Sequence, residues 1–402
     1  MLKPQTLKGF RDFLPEEARK RQYVIVTWQK VFELFGFEPL ETPTLEYEEI
    51  LTGKYGEEGD KLMYRFEDHG KRRVAMRYDQ TVPLARVVAQ HGASRSPQGQ
   101  PLLPFPFKRY QIQPVWRADN TQRGRFREFV QCDIDTVGTE SALADAEILQ
   151  VVERAYEALG FKDFVILLND RKNFAGIDPK AIAIIDKLKK IGPEAVEQEL
   201  QQKGLDPNLL TEVRSKKQTQ NLQNIIKQAD SRRTVYEPTL ARGLDYYTGL
   251  IFEVEIADYP VGSVCGGGRY DNLIGMFAER RLPAVGCAFG FDRTIDAMDE
   301  LKLFPEDLRT TMVLVTVFSP NLLANSLSTT EFLREKGVNT ELYLDPEVKM
   351  EKQLKYANQK AIPYVIIIGE NEAAKNLVSL KDMRTGEQKQ LNLSQLSDAL
   401  TA

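Results

Sequence analysis

Residues 109–135 read Arg109-Tyr110-Gln111-Ile112-Gln113-Pro114-Val115-Trp116-Arg117, then Ala118-Asp119-Asn120-Thr121-Gln122-Arg123-Gly124, then Arg125-Phe126-Arg127-Glu128-Phe129-Val130-Gln131-Cys132-Asp133-Ile134-Asp135. In the first run the odd positions carry Arg109, Gln111, Gln113, Val115 and Arg117, while the even ones carry Tyr110, Ile112, Pro114 and Trp116. A period of two marks a strand with one polar face. The middle run is turn-like. In the third, Arg125, Arg127, Phe129, Gln131, Asp133 and Asp135 share a face, opposite Phe126, Val130, Cys132 and Ile134, with Glu128 interrupting. The pattern predicts a β-hairpin with one face in a core and the other crowded with guanidinium, amide and carboxylate groups. Pro114 argues against the first strand being fully central. A face of this kind points either into water or into a polar ligand site, and the spacing alone leaves both open. Phe129 among the arginines favours the second, because a ring beside guanidinium groups suits a base stacked next to phosphates.

Upstream, Pro15 followed by Glu16 and Glu17, with Val24, Trp28, Val31, Phe32 and Phe35 at helical spacing and Gly36 at the end, predicts an amphipathic helix. Phe37 to Leu45 holds Pro39 and Pro43 and reads as an extended edge or interface segment. Downstream, residues 170–230 turn rich in Lys, Glu, Gln and Asp with helical patterning, which predicts a small helical insertion. Strand patterns return at 250–256, at 263–265 running into Gly266-Gly267-Gly268, and at 284–291. Beyond Phe304-Pro305-Glu306-Asp307, strands (312–318, 338–344, 364–369) alternate with helices (322–336, 349–361), which predicts a separate α/β domain with a largely parallel sheet and a junction near residue 308.

The chain has 402 residues, 42% of them hydrophobic, enough for two or three domains with real cores, and this excludes a disordered tail or a disulfide mini-scaffold. Lysine and arginine number 54 against 58 acidic residues, so a nucleic-acid partner must be held by a local patch. Cys132, Cys265 and Cys287 lack CxxC spacing, against both a disulfide framework and a structural zinc site. The charged N-terminal stretch lacks the apolar core of a signal peptide and no apolar run approaches the roughly 20 residues that span a bilayer, so the chain reads as cytoplasmic with no membrane partner. His69 and His91 are the only histidines, too few for a histidine triad or a multi-histidine metal site.

Two further clusters are candidates for chemistry. Arg242-Gly243-Leu244-Asp245-Tyr246-Tyr247-Thr248-Gly249 precedes Gly266-Gly267-Gly268-Arg269-Tyr270-Asp271, whose glycine run lacks the ending of a P-loop and, in isolation, reads as a structural turn. Gly286-Cys287-Ala288-Phe289-Gly290-Phe291-Asp292-Arg293 puts small residues at alternating strand positions ahead of a helix, where a flat base can approach the backbone.

In this order the clusters resemble the class II aminoacyl-tRNA synthetases, and in detail the histidyl-tRNA synthetase family, over nearly the whole chain. Motif 1 is matched by Gly36 to Pro43, motif 2 by Val115 through Phe129, and motif 3 by Gly286 to Arg293; the histidine-specific signatures are Leu240 to Gly249 and Gly266 to Asp271. Arg77 to Arg86 resembles the segment before motif 2. Asp79 and Asp119-Asn120-Thr121-Gln122 follow one branch of the family where another has Glu and Glu-Arg-Pro-Gln.

The resemblance implies an α+β catalytic domain built on an antiparallel sheet (1–308, with the helical insertion at about 170–230) and a C-terminal α/β anticodon-binding domain (309–402). It implies a ligase that activates L-histidine with ATP and Mg2+ to histidyl-adenylate and pyrophosphate, then transfers histidine to tRNA-His, without a tightly bound metal. It implies a homodimer with the motif 1 segment at its interface, and tRNA contacts by the insertion and the C-terminal module; Lys349, Lys352, Lys355 and Lys360 are either phosphate contacts or a solvated helix face. It gives catalytic roles to Arg117 and Arg242 at the α-phosphate, ATP contacts to Arg117, Arg125, Phe129 and Arg293, and histidine contacts to Asp79, Thr81, Gln131, Asp135, Tyr246, Tyr247 and Tyr270. Tyr270 and Arg269 either line or brace that pocket or form a hydrogen-bonded structural pair. The rival is a catalytically silent histidine-binding paralogue that regulates histidine biosynthesis; such relatives tend to lose the Arg242-type residue and the C-terminal module.

Overall fold

The structure, a computed structural model, describes every residue except 1, 55, 122–124, 242–245, 278–280 and 402. It divides into two compact units, Met1–Phe304 and Pro305–Ala402.

The larger unit is organised by an eight-stranded sheet whose order, edge to edge, is Glu38–Pro39, Phe107–Trp116, Glu128–Val137, Ala284–Phe289, Cys265–Arg269, Leu250–Ile256, Phe164–Asp170 and Thr234–Tyr236. Only the two outermost pairings are parallel; the rest are antiparallel. The hairpin lies where its periodicity put it, but its second strand starts at Glu128, so Arg117 and Arg125 stand beyond the paired ladder. Pro114 is tolerated because the outer neighbour pairs only with Arg109 and Tyr110, leaving no outer strand to receive its missing N–H. The glycine run, which reads as a turn in isolation, is instead the middle of the buried strand Cys265–Arg269. Its flanking strands supply the ladder that a short glycine segment could not hold alone.

One face of the sheet is closed by helices. Pro15–Leu34 starts with proline and two glutamates and buries Val24, Trp28, Val31 and Phe32; Trp28 packs on Phe289 with ring centroids 4.8 Å apart. Ala142–Ala158 is capped by the Ser141 hydroxyl, which accepts from the Leu143 N–H, and it packs into the same core as Cys132, Ile134 and Phe289. With the apolar face so covered, the polar face is left for the cleft.

Between the strands Phe164–Asp170 and Thr234–Tyr236 lie five helices, Pro179–Ile185, Leu188–Ile191, Pro193–Gln202, Leu209–Ser215 and Gln220–Ala229. The first four enclose a core of their own around Ile185, Val196, Leu200 and Val213. The last packs Leu222 and Ile225 into the main core.

The smaller unit holds a five-stranded sheet ordered Thr340–Leu342, Val313–Val315, Tyr364–Ile367, Val378–Asp382, Gln388–Leu391. The first two pairings are parallel and the last two antiparallel, which corrects the expected largely parallel sheet. The added hairpin escapes a βαβ reading because Gln388–Leu391 is mostly exposed and carries no apolar alternation.

Candidate functional site

The strand registers assemble the site. Gln113 pairs with Gln131 and Arg109 with Asp135 across the hairpin; Asp135 in turn pairs with Gly286 and Asp133 with Ala288; Gly268 pairs with Gly286 and Gly266 with Ala288. One face therefore runs from charged and amide side chains onto a floor of Gly and Ala. A Cβ at Gly286 would collide with the Asp135 carboxylate and lie 2.5 Å from the Ile134 carbonyl oxygen. Glycine there is the condition for Asp135 to lie across the sheet.

Over this floor opens a cleft of about 630 Å³, and the described residues given ATP or histidine contacts above all line it. At its inner end, Arg109 and Asp135 form a buried ion pair at 2.7 Å, and the Tyr270 hydroxyl donates to the other Asp135 oxygen. The Tyr246 ring packs tilted against Tyr247 and edge-on against Tyr270, with centroids 4.9 and 5.8 Å apart. Asp79 is buried just ahead of the helix Thr81–His91, where its Oδ1 accepts from the Val82 N–H at 3.2 Å. The Gln131 amide donates to both oxygens of Asp133 at 3.2 Å, which leaves its Oε1 buried without a hydrogen-bond partner among the described residues. A lone acceptor facing a cleft is a place for a donor on a ligand.

At the outer end, the Arg117 guanidinium donates through Nε to the Tyr78 carbonyl at 3.0 Å and lies 5.1 Å from the Phe129 ring centre. Arg125 is held by Asp119 through two hydrogen bonds of 2.9 Å, and Arg293 donates to the Ser263 carbonyl at 2.8 Å. Arg117, Arg125, Phe129 and Arg293 thus line the cleft where the paired strands end, while Asp135, Tyr246, Tyr247 and Tyr270 line it further along the sheet. Such polarity fits a ligand with an anionic chain and a flat ring at one end and a hydrogen-bonding cationic group at the other.

Burial shapes the charges. It pushes the Asp133 carboxyl up to about 8, with help from the Asp135 and Asp79 carboxylates and against the pull of Arg109. It raises Asp135 as well, opposed by Arg109 and the Tyr270 hydroxyl. Arg269, by contrast, turns to the other face and pairs with Asp145 and Asp271, so it takes the structural alternative. Arg242 lies outside the described residues. Among the described residues no group of three or more His, Cys, Asp or Glu is arranged to hold a metal ion, and no helix is long and apolar enough to cross a membrane. Cys132, Cys265 and Cys287 are all buried.

Arg109, Asp119 and Asp133 belong to the site but were not singled out by sequence reasoning. Arg109 and Asp133 sit at the right strand parity. Arg109 becomes a site group through its cross-strand partner Asp135, and Asp133 through its buried place beside Gln131, neither of which a single sequence states.

The chain matches the family model described as histidyl-tRNA synthetase over residues 9–177 and 170–294, and the one described as anticodon binding domain over 312–402. It is 42% identical to the histidine–tRNA ligase of Cytophaga hutchinsonii over 96% of this chain and 97% of that one. It is 40% identical to that of Wolinella succinogenes over 97% and 96%. The crystal structure of histidyl-tRNA synthetase from Nostoc sp. PCC 7120 superposes with a TM-score of 0.86 at 30% identity, covering 100% of this chain and 99% of that one.

Proposed function

The chain belongs to the histidyl-tRNA synthetase family, and from that membership we infer that it is a histidine–tRNA ligase whose cleft runs both steps of the reaction. In the first step the histidine carboxylate attacks the ATP α-phosphate in line and pyrophosphate leaves; in the second the ribose hydroxyl at the tRNA 3′ end attacks the acyl carbon and AMP leaves. Neither step needs a covalent enzyme intermediate. Negative charge builds on phosphoryl oxygens in the first, and fixed guanidinium groups stabilise it without reorganising.

Arg117 and Arg242 are assigned to the α-phosphate, Arg125 and Arg293 to the outer phosphates, and Phe129 to the adenine. Magnesium arrives with ATP as part of the substrate. Asp79, Thr81 and Gln131 take the α-ammonium group, for which the lone Gln131 acceptor is suited. Asp135, Tyr246, Tyr247 and Tyr270 surround the imidazole, with Arg109 and Tyr270 fixing the Asp135 carboxylate toward it. A pocket built to hydrogen-bond both ring nitrogens rejects apolar side chains because they leave its polar groups unpaired. The active chain is proposed to be a homodimer acting in the cytoplasm, with tRNA-His as its macromolecular substrate and the C-terminal unit as the anticodon reader.

The observation that carries this reading is the polarised cleft, arginines with Phe129 at one end and Asp135 between Arg109 and Tyr270 at the other. Its test is amino-acid-dependent ATP–pyrophosphate exchange without tRNA. Exchange with histidine alone among the standard amino acids is the expected result. A folded sample that binds histidine without exchange would put the regulatory paralogue first. Arg242→Ala is expected to lower exchange by about 100- to 1000-fold in a folded protein.

A further inference from the structure

The segment Leu7–Phe13, ahead of the first helix, touches both arms of the cleft that carry the outer arginines. The Arg11 guanidinium carbon lies 3.2 Å from the centre of the Phe126 ring. Its Nη2 donates to Asp292 Oδ1 at 3.1 Å, and Arg21 donates to the same oxygen at 2.6 Å. Phe126 adjoins Arg125 in sequence, and Asp292 adjoins Arg293 in the first turn of the helix Phe291–Glu300; all four line the cleft. Two residues before Arg11, the Gly9 carbonyl accepts from the Arg127 N–H at 2.9 Å. A side chain at Gly9 is excluded twice over, by its φ of +88° and because a Cβ would lie 2.7 Å from the Arg127 Cγ. The segment is therefore laid against the motif 2 arm by backbone and side chain together.

We propose that Arg11 is a positioning residue for ATP: stacked on Phe126 and paired with Asp292, it ties the two arms together and fixes the spacing between Arg125 and Arg293. The two arms come from residues more than 150 positions apart and share no strand pairing at these points. Arg11 contacts both. It also helps Arg21 offset the Asp292 carboxylate, which would otherwise repel an anionic chain at that helix start. The proposal rests on the reading that Arg125 and Arg293 hold the ATP phosphates.

A packing role alone would lower thermal stability and leave substrate constants unmoved. Positioning predicts that Arg11→Ala raises the KM for ATP about tenfold in pyrophosphate exchange and leaves the KM for histidine within about twofold. Phe126→Leu is expected to act in the same direction, and the double variant to be no worse than the larger single effect, because both remove one contact. Arg11→Lys, which keeps the charge for Asp292 but loses the planar stack, is expected to fall between wild type and Arg11→Ala. Arg11→Lys and Phe126→Leu carry the test if Arg11→Ala does not fold. Equal rises in both KM values, or a lower Tm with both unchanged, would overturn the proposal. Calorimetric titration with magnesium-ATP in the absence of any amino acid separates it from the reading of function. A Kd weakened about tenfold in Arg11→Ala supports the tie whatever amino acid is activated, and an unchanged Kd removes it.

Discussion

At the scale of single residues, the inner end of the cleft is an arrangement of two buried carboxylates served by one guanidinium. Asp135 has Arg109 and Tyr270; Asp133 accepts from the Gln131 amide. Different partners suit them to different tasks. Asp135→Asn keeps the shape but removes the charge that the proposed imidazole contact uses, and is expected to raise the histidine KM about 100-fold with little change for ATP. Steady-state kinetics with each substrate varied in turn checks this, and parallel rises would sink the assignment. Asp133 makes a prediction about stability. Its carboxyl is pushed up to about 8 by burial from an ordinary value of 3.8, so between those values the folded chain holds a proton that the unfolded chain has released. Its contribution is therefore lost as pH rises from about 4 to about 8. Thermal unfolding across pH 5 to 8.5 should show Tm falling with pH, and Asp133→Asn should flatten that slope.

At the scale of elements, the decisive contact is the close stacking of Gly268, Gly286 and Asp135 on three adjacent strands. Gly286→Ala puts a methyl group against the Asp135 carboxylate. A shift of about 1 Å there is expected to cost about 100-fold or more in histidine-dependent exchange, while circular dichroism remains that of the folded chain; wild-type exchange in the variant would refute the floor's role. Much at this scale was legible in the sequence. The alternation from Arg109 to Asp135 gave the hairpin and the parity of Phe129, Gln131 and Asp135, because period two is a local property. The glycine strand was not legible, since glycine carries no face and its pairing comes from neighbours at 250–256 and 284–289. For the same reason Arg109 passed as one polar residue among several. The roles of Arg117, Arg125 and Arg293 came from resemblance to a family, and spacing alone left water as an alternative to a ligand.

At the scale of the whole molecule, each unit has its own core: Trp28, Tyr156 and Phe289 belong to the larger one, Val315, Leu333 and Ile366 to the smaller. Ending the chain at Phe304 is thus expected to leave exchange within about tenfold of wild type. Charging of tRNA should fall by about 100-fold or more, as expected when one of two linked binding modules is lost. Measuring both activities on one preparation checks this, and equal losses would argue that the units act as one.

The same sheet has a kinetic consequence. Asp135, Gly268 and Gly286 become neighbours only when the strand Glu128–Val137 has paired with Ala284–Phe289, about 150 positions further along the chain, and such long-range closure is slow. The hairpin alone, whose strands are local, forms no amino-acid pocket. In refolding, protection by histidine should therefore lag the recovery of secondary structure, and the substrate should act as a reporter of the last strand to dock rather than as a template for the first.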